Sequence, residues 1–281
     1  MNLPKDNQEV SVDFEILIST MFRTTLQFLE DMFEKRDDYK NYNILIVNQT
    51  DRNKILVSSL QNIRVINSFE RGTTKSRNLA LKNAIGNVCL MADDDTKYVS
   101  NIKNIIIESH QKYPDMGFIS FEAVDEQLNP FTVYPKTGLH SKKTLQSIYT
   151  LVITFKRTKI LEANVLYNEY FGLNTIFNTG EEYVFLRGAY DKGVKIFHVP
   201  IVIVSHPKET SGKLQGNDDI IFSRSAVKYR YTGFFTYLWL VKYIFFLVRK
   251  KYISVREVPH KFLQGIKGIQ KYKELKASDK I

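Results

Sequence analysis

The sequence predicts an α/β fold: a three-layer α/β/α sandwich with a mixed, mostly parallel central sheet, followed by C-terminal amphipathic helices. Two observations predict it. Short β-branched apolar runs alternate with helical patterns from residue 14 to residue 110, and each run ends in polar residues, as buried strands joined by crossovers do. Residues 224–281 then combine long apolar stretches with most of the chain's excess positive charge.

In chain order, residues 14–20 (FEILIST), 43–49 (NILIVNQ), 63–67 (IRVIN) and 87–92 (NVCLMA) read as buried strands. Between them, Thr25 to Phe33 sets Leu26, Leu29, Met32 and Phe33 at helical spacing. Thr74 to Ile85 does so with Leu79, Leu81 and Ala84, and Val99 to His110 with Ile102, Ile105 and Ile106. The second half is more broken: 116–123, 148–155 and 194–204 read as strands, and Glu181 to Asp191 as a helix. Such sheets bind ligands beyond the carboxyl ends of their strands. Those ends present Ser19-Thr20, Asn48-Gln49, Asn67-Ser68 and Asp93-Asp94-Asp95.

Composition narrows the function classes. With 43% apolar residues, 13% aromatic residues, 13 Gly and 7 Pro in 281, disorder, collagen-like sequence and coiled coil are excluded. The single Cys89, inside an apolar run, excludes a disulfide framework and a Cys-based zinc site, so a reducing cytoplasm is expected. Met1 to Asp13 holds four charged residues and no apolar core, so no signal peptide is expected. No glycine-rich phosphate cradle is present.

Residues 224–281 hold 14 Lys/Arg against 3 Asp/Glu, leaving 26 against 27 of the chain's 40 and 30 for residues 1–223. A neutral body with a basic apolar tail argues for two regions, 1–223 and 224–281, and against nucleic acid as a partner. It points to an anionic membrane surface instead. The stretch from Tyr231 to Val248 is followed by Arg249-Lys250-Lys251. As a helix it would reach about 27 Å against a hydrocarbon layer of ~30 Å, and central Lys242 would cost about 2.5–3.5 kcal/mol. The reading is a helix lying in the membrane interface with basic ends. After Pro259, Phe262, Ile266, Ile269 and Tyr272 beside Lys261, Lys267, Lys271 and Lys273 predict a second amphipathic helix. The alternative is that both helices pack on the body as core. The expected location is cytoplasmic, peripherally associated with the inner face of the plasma membrane.

The chemistry concentrates in three places. Asp93, Asp94 and Asp95 leave a buried strand together, and their repulsion is relieved either by solvent in a plain turn or by a hard cation, Mn²⁺ or Mg²⁺. Strand alternation would put Asp93 and Asp95 on one side and Asp94 on the other. Glu181-Glu182 either start a helix favourably or supply a general base for an acceptor hydroxyl. His206, leaving the strand IVIVS, is either a surface residue or a further metal ligand, and Lys213 in the following loop could seek phosphate.

The ordered set FEILISTMFRT, ILIVNQTD, RGTTKSRNLALKNAIGNVCLMADDD, NTGEEYVFLRGAYDKGVKIFHVP and VSHP resembles the family-2 glycosyltransferases of GT-A, Rossmann-like fold, over residues 14 to 207. The resemblance implies an inverting, metal-dependent glycosyltransferase of hexosyltransferase type, acting in surface-polysaccharide assembly. It would take a nucleotide-sugar donor, a UDP-sugar, and a saccharide or lipid-linked acceptor. Asp93-Asp94-Asp95 then looks like the DxD motif, with Asp95 the direct metal ligand, Asp93 beside it and His206 resembling a metal-bound His. Glu182 matches the catalytic base and Glu181 its neighbour; Thr20, Arg23 and Arg77 match positions close to the nucleotide. Asn48-Gln49 stand where the family commonly has an Asp pair near uracil, Ser19 where it has Pro, and Glu182 where Asp is usual. Acceptor contacts are expected from 129–178, including Phe171, Gly172 and Asn174. The rival readings are a non-catalytic membrane-associated scaffold of the same fold and a sugar nucleotidyltransferase; the latter would need a glycine-rich loop that ISTMFRTT lacks.

Overall fold

The computed structural model describes residues 12–207 and 215–281. The first half runs β1 (Val12–Met21), α1 (Phe28–Asp31), β2 (Asn43–Gln49), β3 (Ile63–Ser68), α2 (Thr73–Asn83) and β4 (Gly86–Asp93). It continues through β5 (Lys97–Tyr98), α3 (Ile102–Lys112), β6 (Phe118–Val124), β7 (Gly138–Leu139), β8 (Ile153–Lys156), α4 (Arg157–Ala163), α5 (Glu181–Asp191) and β9 (Ile196–Ser205). Three longer helices follow: α6 (Asp218–Thr232), α7 (Thr236–Arg249) and α8 (Val258–Ala277).

Among the described residues the strands form one nine-stranded sheet, ordered β3-β2-β1-β4-β8-β6-β9-β5, with β7 on β9. The first four are parallel, in the register Ile16 to Ile44, Ile44 to Ile63 and Ile16 to Leu90. Ile16, Leu17, Ile18, Ile44 to Val47 and Cys89 to Ala92 are all fully buried. Burial of consecutive residues means that both faces are covered, which is why these strands read as continuous apolar runs. β8 runs antiparallel to β4 and β6, making the sheet mixed as expected. All four parallel strands therefore end on one edge, where their polar residues gather.

Three expectations change. The helix over 25–33 contracts to the single turn of α1, because Phe33 leaves it to bridge Tyr98, and so short a helix depends on packing. The run 148–155 is a strand only from Ile153. Thr150–Val152 form a 3₁₀ turn whose side chains are buried just as a strand's would be. The helix from Tyr231 breaks at Gly233, which takes a positive φ of 51° and caps α6 through its N–H to the Tyr229 carbonyl.

α6 spans residues on both sides of position 223 and packs closely along α8. The close approach needs Gly268: a Cβ there would overlap the Phe222 carbonyl. Ala226 of α6 and Tyr272 and Leu275 of α8 share a buried cluster with Phe171, Phe177 and Val184 of the body, so the tail is docked on it. α7 buries Leu240, Tyr243, Ile244 and Leu247 on one side and leaves Leu238, Val241 and Phe245 exposed on the other.

Candidate active site

β4 ends at Asp93, and Asp94 and Asp95 already lie in a turn, so strand alternation stops where the acidic run begins. The three carboxylates take different partners. Asp94 Oδ2 accepts from Thr20 Oγ1 at 2.5 Å and from the Arg23 guanidinium at 2.7 Å, tying the end of β1 to the turn. Asp93 takes Arg77 Nη2 at 3.2 Å. Asp95, the most exposed of the three, meets His206 Nε2 at 3.1 Å.

Arg77 is where the two acidic motifs meet. It projects from α2, is 3% exposed, and sets Nη1 3.5 Å from Glu181 Oε1 and 3.7 Å from Glu182 Oε1. Its guanidinium lies over the Tyr167 ring at 5.6 Å. Burial works against its charge, but the pull of Asp93, Tyr167 and the two glutamates outweighs this and raises its pKa. Asp93 shows the converse: burial raises its pKa while Arg77 draws it down.

Glu181 and Glu182 open α5 as predicted, with Gly180 before them at a φ of 93°. Their environments differ. Glu181 is 7% exposed, and burial together with the neighbouring Glu182 charge pushes its pKa up to about 8. Glu182 is more open and accepts from Thr150 Oγ1 at 2.7 Å. Glu181 is enclosed, whereas Glu182 is open enough to meet an acceptor and is oriented by Thr150 and Arg77, which makes it the candidate base.

Asn48 and Gln49 are buried and work through backbone. Asn48 Oδ1 accepts from Arg23 N–H, and its amide donates to the Arg23 carbonyl and to Asn67 Oδ1. Gln49 Oε1 accepts from Gly72 N–H at the start of α2. Both amides thus shape the segments carrying Arg23 and Arg77. Phe171 is core, stacked on Phe177, and Gly172 lies against Glu181 and Thr74. Lys213 lies outside the described residues.

For a cation, Asp95 and His206 present a carboxylate oxygen and an imidazole nitrogen close together, beside a cavity of about 230 Å³. Asp94, Asp95, Lys97 and His206 are among its lining residues. Among the described residues no group of three or more His, Cys, Asp or Glu is arranged to hold a metal. The donor set fits a hard divalent ion as a two-residue anchor, its other positions left to ligand oxygens and water. Asp93 is already engaged by Arg77.

Sequence reasoning missed Thr150 and Tyr167. Thr150 is a polar residue inside an apolar run, a cue that a plain strand reading absorbs; Tyr167 carries no local signal. No protein-family model and no curated protein sequence matches the chain. Solved structures do match. The crystal structure of S. aureus TarS aligns with a TM-score of 0.53 at 12% identity, over 94% of this chain and 55% of that one, so this chain spans about half of its length. The structure of TarS 1–349 in complex with UDP-GlcNAc aligns at 0.54 and 11% identity, over 95% of this chain and 92% of the other. The complex with UDP aligns at 0.53 and 13%, with the same coverage. At such identities the likeness is one of architecture, and with the mixed sheet and its acidic turn it gives the chain a GT-A-like fold.

Proposed function

We propose that this chain is an inverting glycosyltransferase that moves a sugar from a nucleoside-diphosphate donor, a UDP-sugar, to a hydroxyl of a saccharide or lipid-linked saccharide. The observation that carries the reading is the convergence of the acidic turn and the α5 glutamates on one buried guanidinium, Arg77. The solved TarS structures with UDP-GlcNAc and UDP share the fold and support a uridine donor.

Glu182 takes the proton of the acceptor hydroxyl. That oxygen bonds to the anomeric carbon from the face opposite the diphosphate while the anomeric carbon–oxygen bond breaks, so the centre inverts and the diphosphate departs with the electron pair. To Arg23 and Arg77, which pair with Asp94 and Asp93, and to Lys213 we assign the positive charge that favours the departing diphosphate. Asp94 keeps Thr20 and Arg23 in place for the nucleotide, and Asn48 and Gln49 hold the backbone around it. Asp95 and His206, with Asp93 as the further carboxylate, would hold Mn²⁺ or Mg²⁺, which would supply Lewis-acid neutralisation of the diphosphate.

We assign the tail to an anionic membrane surface. α7 exposes Phe234 and Phe235 at its entry and Phe245 further on, 68–76% accessible, with Lys242, Arg249, Lys250 and Lys251 nearby. The run Asp218–Arg249 holds one 18-residue window long and apolar enough to cross a bilayer. Its break at Gly233 and the packed inner face of α7 favour lying in the interface over spanning. On this reading the enzyme works at the cytoplasmic side of the plasma membrane, where lipid-linked acceptors are found. The test is incubation with Mn²⁺ and a panel of nucleotide sugars. Slow release of nucleoside diphosphate is expected, greatest with a UDP-sugar; no release and no binding with any donor would favour the non-catalytic scaffold.

A further inference from the structure

Between the two poles of the proposed site runs a short chain of aromatic rings. Tyr149 precedes Thr150, the residue that donates to Glu182, and is 41% exposed. Its ring meets Phe131 edge to face, with centroids 5.8 Å apart at 85°. Phe131 in turn meets the His206 imidazole at 6.0 Å and 86°, and His206 pairs with Asp95. The rings therefore connect the base at one end with the diphosphate pole at the other. Tyr149 feels the charge of Glu182 and that of Arg224, from the tail helix α6.

A half-exposed tyrosine on the surface beside a catalytic carboxylate has two uses, packing or recognition. For packing, the hidden half already meets Phe131. The exposed part of the side chain leaves aromatic surface for a ligand, and a ring face is electron-rich at its centre. A pyranose ring has a face of C–H groups that complements such a surface, while its hydroxyls stay free at the rim for a polar partner. An acyclic polyol presents no such face.

We infer that Tyr149, backed by Phe131, is the platform on which the acceptor stacks, and that the acceptor group is a sugar ring rather than an acyclic polyol. This rests on the transferase reading. Tyr149 is a specificity residue here: it fixes the ring so that one hydroxyl faces Glu182.

The test is saturation-transfer NMR on the full chain with UDP and Mg²⁺, using a panel of methyl pyranosides and ribitol as the acyclic control. Transfer to the C–H protons of one pyranoside face, with none to ribitol, is expected for the wild type. Tyr149→Ala should reduce that signal by about fivefold or more, while Tyr149→Phe and Tyr149→Trp keep it, because ring area and not the hydroxyl is used. UDP affinity, measured by calorimetry on the same samples, should be the same in all four proteins. UDP binding with pyranoside signals that are absent, indifferent to Tyr149→Ala or matched by ribitol would overturn this inference alone. No UDP binding by the wild type would overturn the transferase reading and this inference with it.

Discussion

Replacing Glu181 with Gln isolates the division of labour between the two glutamates. Burial and the Glu182 charge raise the Glu181 carboxyl from 4.5 to about 8. The folded state therefore binds this proton more tightly than the unfolded state. Between those two values the unfolded chain holds fewer protons, so wild-type stability falls as pH rises through the window and levels off above it. Gln resembles the protonated acid at every pH and removes that fall. Linkage gives a widening of the stability gap in favour of the variant by about 2–3 kcal/mol between pH 5.5 and 8.5. In thermal unfolding that is a relative gain of about 4–6 °C at the higher pH. The assay is circular dichroism melting of both proteins at the two pH values in EDTA. A gap that stays constant with pH, or a variant less stable at pH 8.5, would refute the claim that Glu181 is the buried, proton-holding member and reopen the choice of Glu182 as base.

Glu182→Gln should leave UDP affinity unchanged and lower turnover by about 10²–10⁴-fold, as loss of a general base does; near-normal turnover in a coupled diphosphate-release assay would move the role elsewhere. His110 and His140 are buried, and burial lowers their pKa values to about 3 and about 4. Both are neutral in the fold but take up protons when unfolded below pH 6.5, so each should cost about 2 kcal/mol of stability by pH 5. Denaturant midpoints that match at pH 7.5 and 5 would contradict this. Changing Phe234, Phe235 and Phe245 together to Ser should preserve the fold, since all three are exposed. It should also weaken sedimentation with phosphatidylglycerol vesicles about 100-fold or more, at roughly 1.5–3 kcal/mol for each buried ring. Equal sedimentation would remove the tail from the membrane.

The elements with closed local signals were legible in the sequence. β2 spans the residues its apolar run marks, and α5 begins at the acidic pair after Gly180 and ends at Asp191. Thr150–Val152 were not legible, because a continuous apolar run has no period with which to separate a strand from a buried 3₁₀ turn. The break at Gly233 was hidden for a related reason: a lone glycine is tolerated in a helical pattern, and only its backbone conformation reveals the cap. Within the site, motif order placed Arg77 near the nucleotide. That Arg77 joins Asp93 to Glu181, which lies 104 residues beyond Arg77 in the chain, is a property of the sheet edge that brings α2 and α5 together. Asn48 shows the opposite limit. Its position at a strand end marked it for the site, but not the hydrogen bonds that tie its amide to the Arg23 backbone and to Asn67.

Calorimetric titration of UDP in the presence and absence of Mn²⁺, on the wild type, Asp95→Asn and Glu182→Gln, addresses the one-site claim most directly. Binding should require the cation in the wild type, collapse in Asp95→Asn and persist in Glu182→Gln. Equal, cation-independent affinity in the wild type and Asp95→Asn would mean that the acidic turn is only a solvated loop, and that no nucleotide is held within reach of Glu182.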